Sequence, residues 1–443
     1  MHGTRFSLPF QRRAVGATVA VGALLLTAAC GAGSQTAASQ ATSVGCDITQ
    51  PSKATTVNVL AYNSSAIDPF TNTMIASCQG SNLTFKHDPV DFAGQVQKTA
   101  TTLAGSQAAF DLVETYSLVV PKYSDKLVPL DDYIAKYKDK FKLGDLDATM
   151  SKGMSYGGKQ YGLPTQANIT TFVYRKDIFD ELQLKPPTTF AELKDVAAKI
   201  QASGKVKYPV ALPLLASGDI STRFMIGLFS QGTTYVDPTT KKPMFSSDQG
   251  KKALQALKDL TPYMDPQVTT FDQPKVQQQL YNGTAAIAEM YSGRMVDMVA
   301  QKNSKFFDKF AFLEPPAIVS GGKPWATVSV DGWSLPQNTA IDKDTIFQVM
   351  AASVSEAAGK SAVPAAFPSR KGLATSATMP WYDVVSKTIA DGAQTPPMEK
   401  WTADMQAATR EFIAQGVTGA LSVDDALAKA QAAAEKVLAA AGG

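Results

Sequence analysis

Between residues 57 and 116 the sequence alternates strand-like and helix-like stretches, and this alternation restricts the fold more than any other feature. Residues 57–63 are a compact apolar run that reads as a buried strand. Asp68-Pro69 supplies an N-cap with proline at the first helical position, opening a helix to about residue 76. Residues 83–90 form a second strand, residues 92–104 a second helix stopped by Gly105, and residues 110–116 a third strand. Strands joined through helices run parallel, so an α/β sheet follows. In such sheets ligands gather at the carboxyl ends of the strands. Here those ends are Asn63-Ser64, Asp91-Phe92 and Tyr116-Ser117.

Further on, the chain turns at Gly157-Gly158-Lys159-Gln160 and passes a Tyr161-Gly162-Leu163-Pro164 corner. It then becomes extended through Thr171, Phe172, Val173 and Tyr174. Pro164 disfavours the helical region for Leu163, so the chain leaves that corner extended. Thr189 and Glu192 form a capping box for a helix over 190–202. Helices are expected over 221–230, 248–263 and 273–282, the last stopped by Gly283. A small-residue strand over 284–289 ends at Met290-Tyr291-Ser292-Gly293, and further strands cover 310–316 and 328–336. Asp342 caps a helix reaching 358, and residues 374–443 are alanine-rich and helical. No internal repeat is visible.

The 443 residues allow two or three domains, and 44% apolar content supports substantial cores. The first 29 residues carry Arg5, Arg12 and Arg13, an apolar run from Ala14 to Ala29, and no acids. That run is short for a membrane span and suits a signal peptide. Without these residues Lys plus Arg falls from 42 to 39, equal to Asp plus Glu at 39. A nucleic-acid binder needs a basic surplus, and the exported chain has none. Leu26-Thr27-Ala28-Ala29-Cys30 resembles the lipobox of bacterial lipoproteins, which implies diacylation of Cys30 and a flexible tether over 30–45. Cys46 and Cys78 remain as an even pair in an oxidising compartment. A disulfide between them would staple the segment before the first strand to the end of the first helix.

Tyr161-Gly162-Leu163-Pro164, the apolar strand after it, Tyr174-Arg175-Lys176-Asp177 and Pro187-Thr188-Thr189-Phe190-Ala191-Glu192-Leu193 form an ordered series. It resembles the extracellular solute-binding proteins of ABC importers, in particular the group for sugars and polyols. Over most of the chain after residue 50 the likeness continues. The small-residue strand ending at Tyr291, Val328–Pro336 and Phe367-Pro368-Ser369-Arg370-Lys371 each resemble a family element. Asp331 stands where the family has the first glycine of a Gly-Gly-x loop. The resemblance implies a two-lobed periplasmic-binding-protein-like α/β fold of type II, each lobe a mainly parallel sheet flanked by helices, with hinge strands between. One lobe is expected over 46–166 plus 315–365 and the other over 167–314 plus 366–443. It further implies a monomeric, non-catalytic, lipid-anchored protein on the extracytoplasmic face of the cell membrane. Such a protein delivers solute to permease subunits driven by a separate ATPase, with no cofactor and no metal.

A sugar or polyol asks for flat aromatic surface against its C–H faces and for side chains that bridge neighbouring hydroxyls. The expected strand ends supply Asn63, Asp91, Phe92, Tyr116, Gln166, Asn168, Arg223, Tyr291, Asp331, Trp333 and Arg370. Several have plainer uses. Trp333, Tyr116 and Tyr291 also fit a core, Asp91 fits a helix cap, and Asn168 fits the satisfaction of hinge backbone. Arg223 is placed only by its position on a helix of the second lobe. The same fold with another small solute, ferric iron on tyrosines included, is the alternative.

An exported hydrolase is the rival class. Gly153-Met154-Ser155-Tyr156-Gly157 matches the nucleophile elbow GxSxG, but a helix-like segment precedes it and a Gly-Gly turn follows. His87 is the only histidine after the leader and precedes the serine, against the hydrolase order. No carboxylate pair of a glycosidase is recognisable. Ala357–Ser361 reads AAGKS, but Val354 stands where a phosphate loop needs glycine.

Overall fold

The alternating stretch folds as expected in the computed structural model, which describes residues 43–442. β1 (Thr55–Leu60), β2 (Leu83–His87) and β3 (Leu112–Tyr116) are parallel, with Thr55 opposite Leu83 and Val59 opposite Leu112. Helices α1 (Asp68–Cys78) and α2 (Phe92–Ala104) make the crossovers. Asp68 is the first residue of α1 rather than its cap, and its carboxylate accepts from the Ser64 amide at 3.2 Å. The second strand stops three residues before its expected end, leaving only a bridge from Val90 to Tyr62. Cys46 and Cys78 are disulfide-bonded with Cα atoms 5.2 Å apart, tying the segment ahead of β1 to the last turn of α1. The leader, Cys30 and most of the tether lie outside the described residues.

A hairpin of β4 (Ser155–Tyr156) and β5 (Lys159–Gln160) leads into β6 (Gly162–Arg175), fourteen residues long. The other strands are β7 (Val210–Ala211), β8 (Ile287–Tyr291), β9 (Phe310–Leu313), β10 (Val328–Ser334) and β11 (Phe367–Pro368). Together they make a nine-stranded sheet whose path runs β2-β1-β3-β10-β6-β8-β7, with β9 and β11 also on β6. β6 alone carries both halves. Its first half, through Ile169, pairs with β10 and β11, and its second half, from Thr170, pairs with β8 and β9. The extended run expected after Pro164 is therefore the axis of the molecule.

Each half of the sheet has its own apolar core. The first gathers Val57, Val59, Leu83, Leu112, Leu163, Trp333, Phe347 and Met350. The second gathers Phe172, Leu193, Ile200, Phe224, Leu254, Leu257, Ile413 and Leu427. Each such side chain contributes about 1.5–3 kcal/mol on burial, so each half has the means to hold together on its own. Trp325 packs in the second core, its ring 5.2 Å from that of Phe190, although residue 325 lies in the stretch expected in the first lobe.

The expected capping box holds in part. Thr189 caps the helix Phe190–Ala202 through the Glu192 amide, while the Glu192 carboxylate reaches back to Thr188 instead of Thr189. The strand expected from 284 begins only at Ile287, because the amides of Thr284 and Ala285 are still bonded to the Gln279 carbonyl at the preceding helix end. The helix expected from 342 to 358 is two helices, Lys343–Ser353 and Glu356–Ala362. The second has its own Ser355 cap on the Ala358 amide. The AAGKS motif lies largely on that second helix and forms no phosphate loop. Among the described residues no helix is long and apolar enough to cross a membrane.

Candidate functional site

The carboxyl ends of β1 and β3 meet β10 and β6 at the middle of the sheet. Asp331 of β10 sits opposite both Tyr116 of β3 and Gln166 of β6. Between Asp331 and Gly332 the register slips, leaving Thr165 as an extra residue on β6, a bulge of the kind that re-aims side chains. The Thr165 hydroxyl locks it by donating to the Asp331 carbonyl at 3.0 Å. Gly332 is required here, since a Cβ would lie 2.5 Å from the Leu163 carbonyl oxygen. Asp331 thus replaces a residue of the expected glycine pair, while the glycine beside it keeps the close backbone approach.

Asp331 is buried, and its carboxylate accepts from Gln166 Nε2 at 2.7 Å. Burial pushes its pKa up to about 7, only partly opposed by the Gln166 and Asn168 amides. Behind it Glu114 of β3 is also buried and held by Gln95 Nε2 at 2.6 Å. Burial first, and then the charge of Asp331, raise Glu114 well above the usual carboxylate range. Phe92 bridges the flanking rings, 5.4 Å from Tyr62 and 5.5 Å from Tyr116, and is itself half exposed. Desolvation and the nearby acids push both tyrosines up, keeping them neutral donors.

The second half of the sheet brings Tyr291, last residue of β8, to this point. Arg223 stands 5.4 Å from its ring. That guanidinium forks onto Glu289 at 2.8 and 2.9 Å and reaches Asp219 at 3.0 Å. With Arg223 so occupied it positions Tyr291 rather than offering free donors to a ligand. Asn168 Oδ1 accepts from the Gly293 amide at 3.0 Å, the backbone role open to it from its hinge position. Tyr291 and Asp331 influence each other's ionisation, as do Tyr116 and Tyr291, so groups from both halves share one cluster.

The structure brings together Phe92, Tyr116, Gln166, Asn168, Tyr291, Asp331 and, as a support, Arg223. Asn63 lies beside them at the end of β1, its amide bonded to the Val90 carbonyl. Three expectations change. Trp333 pairs with Glu114 two residues deeper than the Asp331–Tyr116 step, about 7 Å down the strand, and is fully buried in the first core. Arg370 is structural, donating to the carbonyls of Val354, Lys142 and Phe141 and pairing with Asp145 at 3.6 Å. Asp91 caps α2 through the Gly94 amide at 2.6 Å. Tyr62, Glu114 and Arg294 were missed. Tyr62 adjoins Asn63 at the strand end, and Glu114 is a lone charge inside an apolar strand, so both left a trace in the sequence.

Elsewhere, Ser155 follows the helix Ala148–Gly153 and donates to the Ser151 carbonyl, in a two-residue hairpin strand with none of the geometry of an elbow. His87 lies on β2 with Nδ1 3.3 Å from the Val59 carbonyl. Two surface hollows, of about 390 and 350 Å³, lie at Pro187, Glu314 and Asp391 and at Pro51, Thr56 and Asp342. Neither touches the strand-end cluster. Among the described residues no group of three His, Cys, Asp or Glu is arranged to hold a metal ion.

Residues 82–360 match the model of the family described as bacterial extracellular solute-binding protein. A probable amino-acid ABC transporter periplasmic-binding protein from Sinorhizobium fredii is 23% identical over 295 residues, 64% of this chain and 65% of that protein. The match thus spans just under two thirds of that curated relative. In structure, the chain resembles an ABC transporter solute-binding protein from Agrobacterium radiobacter K84 in complex with ribitol. The TM-score is 0.78 and the identity 21%, covering 88% of this chain and 100% of that one. A solute-binding protein from Agrobacterium vitis S4 with bound D-mannitol gives a TM-score of 0.72 at 21% identity, covering 87% and 99%. These likenesses place the fold among two-lobed periplasmic binding proteins.

Proposed function

Because the chain belongs to the bacterial extracellular solute-binding protein family, we propose that it captures a sugar or polyol between its two lobes and delivers it to an ABC permease. The observation that carries this reading is the convergence of Tyr62, Phe92, Tyr116, Gln166 and Asp331 from one half with Tyr291 from the other. Aromatic faces suit the C–H side of a sugar ring, and carboxylate and amide groups suit its hydroxyls. The polyols bound by the two Agrobacterium proteins support the same ligand class.

Because the site draws on both halves, ligand binds fully only when they meet, and binding shifts the population toward the closed form. β6, β10 and β11 are the strands between which the lobes hinge. Residues near 315–326 travel with the second lobe, where Trp325 packs, and residues near 366–370 with the first, where Arg370 is anchored. Cys30 carries lipid and holds the exported protein at the membrane; Cys30→Ser releases it into the medium, read by fractionation. Transport energy comes from a separate ATPase, and the protein catalyses nothing.

A thermal-shift screen of the full chain against sugars, sugar alcohols, amino acids and ferric citrate tests the reading. Ligand at 100 times its Kd adds about 2.7 kcal/mol. A rise with one saccharide or polyol and not with its epimers supports the reading. A rise with iron alone, or no rise alongside ester turnover abolished by Ser155→Ala, overturns it.

A further inference from the structure

Two acids stand at the centre of the cluster without a cation. Asp331 is 4% exposed and Glu114 1%, and neither makes an ion pair among the described residues. Buried charges are normally paired, because an unpaired carboxylate in an apolar setting costs several kcal/mol. Of the two guanidinium groups nearby, Arg223 is committed elsewhere. Arg223 serves Glu289 and Asp219, and Arg294 donates to Gln277 at 3.1 Å. What holds the two acids is neutral: Gln166 on Asp331 and Gln95 on Glu114.

A second observation points the same way. Glu114 Oε1, Gln95 Oε1 and Gln166 Oε1 are buried acceptor atoms with no partner. Each amide oxygen is bonded to the same carbon as the nitrogen that holds a carboxylate, so it lies at the edge of the same cluster. All three are acceptors in need of a donor. Tyr62, Phe92 and Tyr116 stand beside them and offer ring faces that attract a cation.

We propose that the ligand is a polyhydroxylated amine, an amino sugar or aminopolyol, whose ammonium pairs with Asp331, with the Glu114 carboxyl behind it. This rests on the solute-binding reading and narrows its ligand. The ammonium takes the place of the proton that burial leaves on Asp331 near neutral pH. Binding therefore releases that proton to the buffer, and the net charge of the site is unchanged. Tyr62, Tyr116 and Tyr291 face the same carboxylates as neutral phenols, and Arg294 faces Tyr62.

Calorimetry on the full chain decides it, with glucosamine against glucose and glucamine against sorbitol, each at pH 6.5 in two buffers of different ionisation enthalpy. The expected result is at least about tenfold tighter binding of an amine than of its hydroxyl counterpart, with net proton release. Asp331→Asn removes both the preference and the release. Glu114→Gln, checked for folding by circular dichroism, weakens the preference and serves if the first variant does not fold. Equal or tighter binding of the neutral partner without proton release overturns the amine assignment and leaves the sugar-transport reading standing. No binding of either pair overturns the assignment as well.

Discussion

Asp331 departs far from ordinary carboxylate behaviour, and its effect on stability has a definite sign. Its folded pKa of about 7 lies above the usual 3.8. Between those pH values the folded protein keeps a proton that the unfolded chain has lost, so stability falls as pH rises through this window. A shift of that size corresponds to at most roughly 4 kcal/mol. Glu114, raised by its burial and then by the charge of Asp331, adds to the fall in the same direction. Without ligand, the urea midpoint is expected to be higher at pH 5 than at pH 8. Asp331→Asn should remove most of that difference; an unchanged difference would show that Asp331 is not the group responsible. Arg223 gives a second test. Glu289→Ala leaves a fully buried guanidinium with only Asp219, and should destabilise by about 3–5 kcal/mol in urea unfolding.

At the scale of elements, the disulfide gives the clearest prediction. Cys46 and Cys78 lie 32 residues apart, and closing a loop of that order constrains the unfolded chain by about 4 kcal/mol. The Cys46→Ser/Cys78→Ser pair should lower the melting temperature in a thermal scan while leaving ligand affinity intact, because the bond lies at the far end of α1 from the strand ends. The elements themselves were largely legible. Apolar runs separated by capped helices predict β1, α1, β2, α2 and β3 within a few residues, since caps such as Asp91 and Thr189 act locally. Less legible was depth along a strand. Asp331 and Trp333 share a face by alternation, and only the pairing of Tyr116 with Asp331 shows that one is at the mouth and the other in the core. Arg370 failed for the same reason, because its carbonyl partners at Phe141 and Lys142 are more than two hundred residues away in sequence.

Across the whole molecule the two halves meet along β6 and at several further contacts, and those contacts set how far the cleft can shut. Ser65, just past β1, donates to Asp297 beyond β8, and Lys122 meets Asp404 at 2.6 Å in an exposed pair worth no more than about 1 kcal/mol. Gly293 matters more. A Cβ there would come 2.6 Å from that of Ala66, a separation that packed carbon atoms do not tolerate. Both residues lie in loops at strand ends, one from each half, so even one added methyl wedges the loops apart next to the ligand cluster. Gly293→Val should thus hold the lobes open. The expected outcome is a larger radius of gyration in the presence of ligand by small-angle scattering, together with affinity at least about tenfold weaker. The melting temperature without ligand should change little, because neither core is touched. If the variant compacts on ligand binding as the parent does, closure does not run through this contact. The pairing of open scattering with weak affinity separates a block on closure from a damaged binding surface, since the latter weakens binding without enlarging the ligand-saturated form.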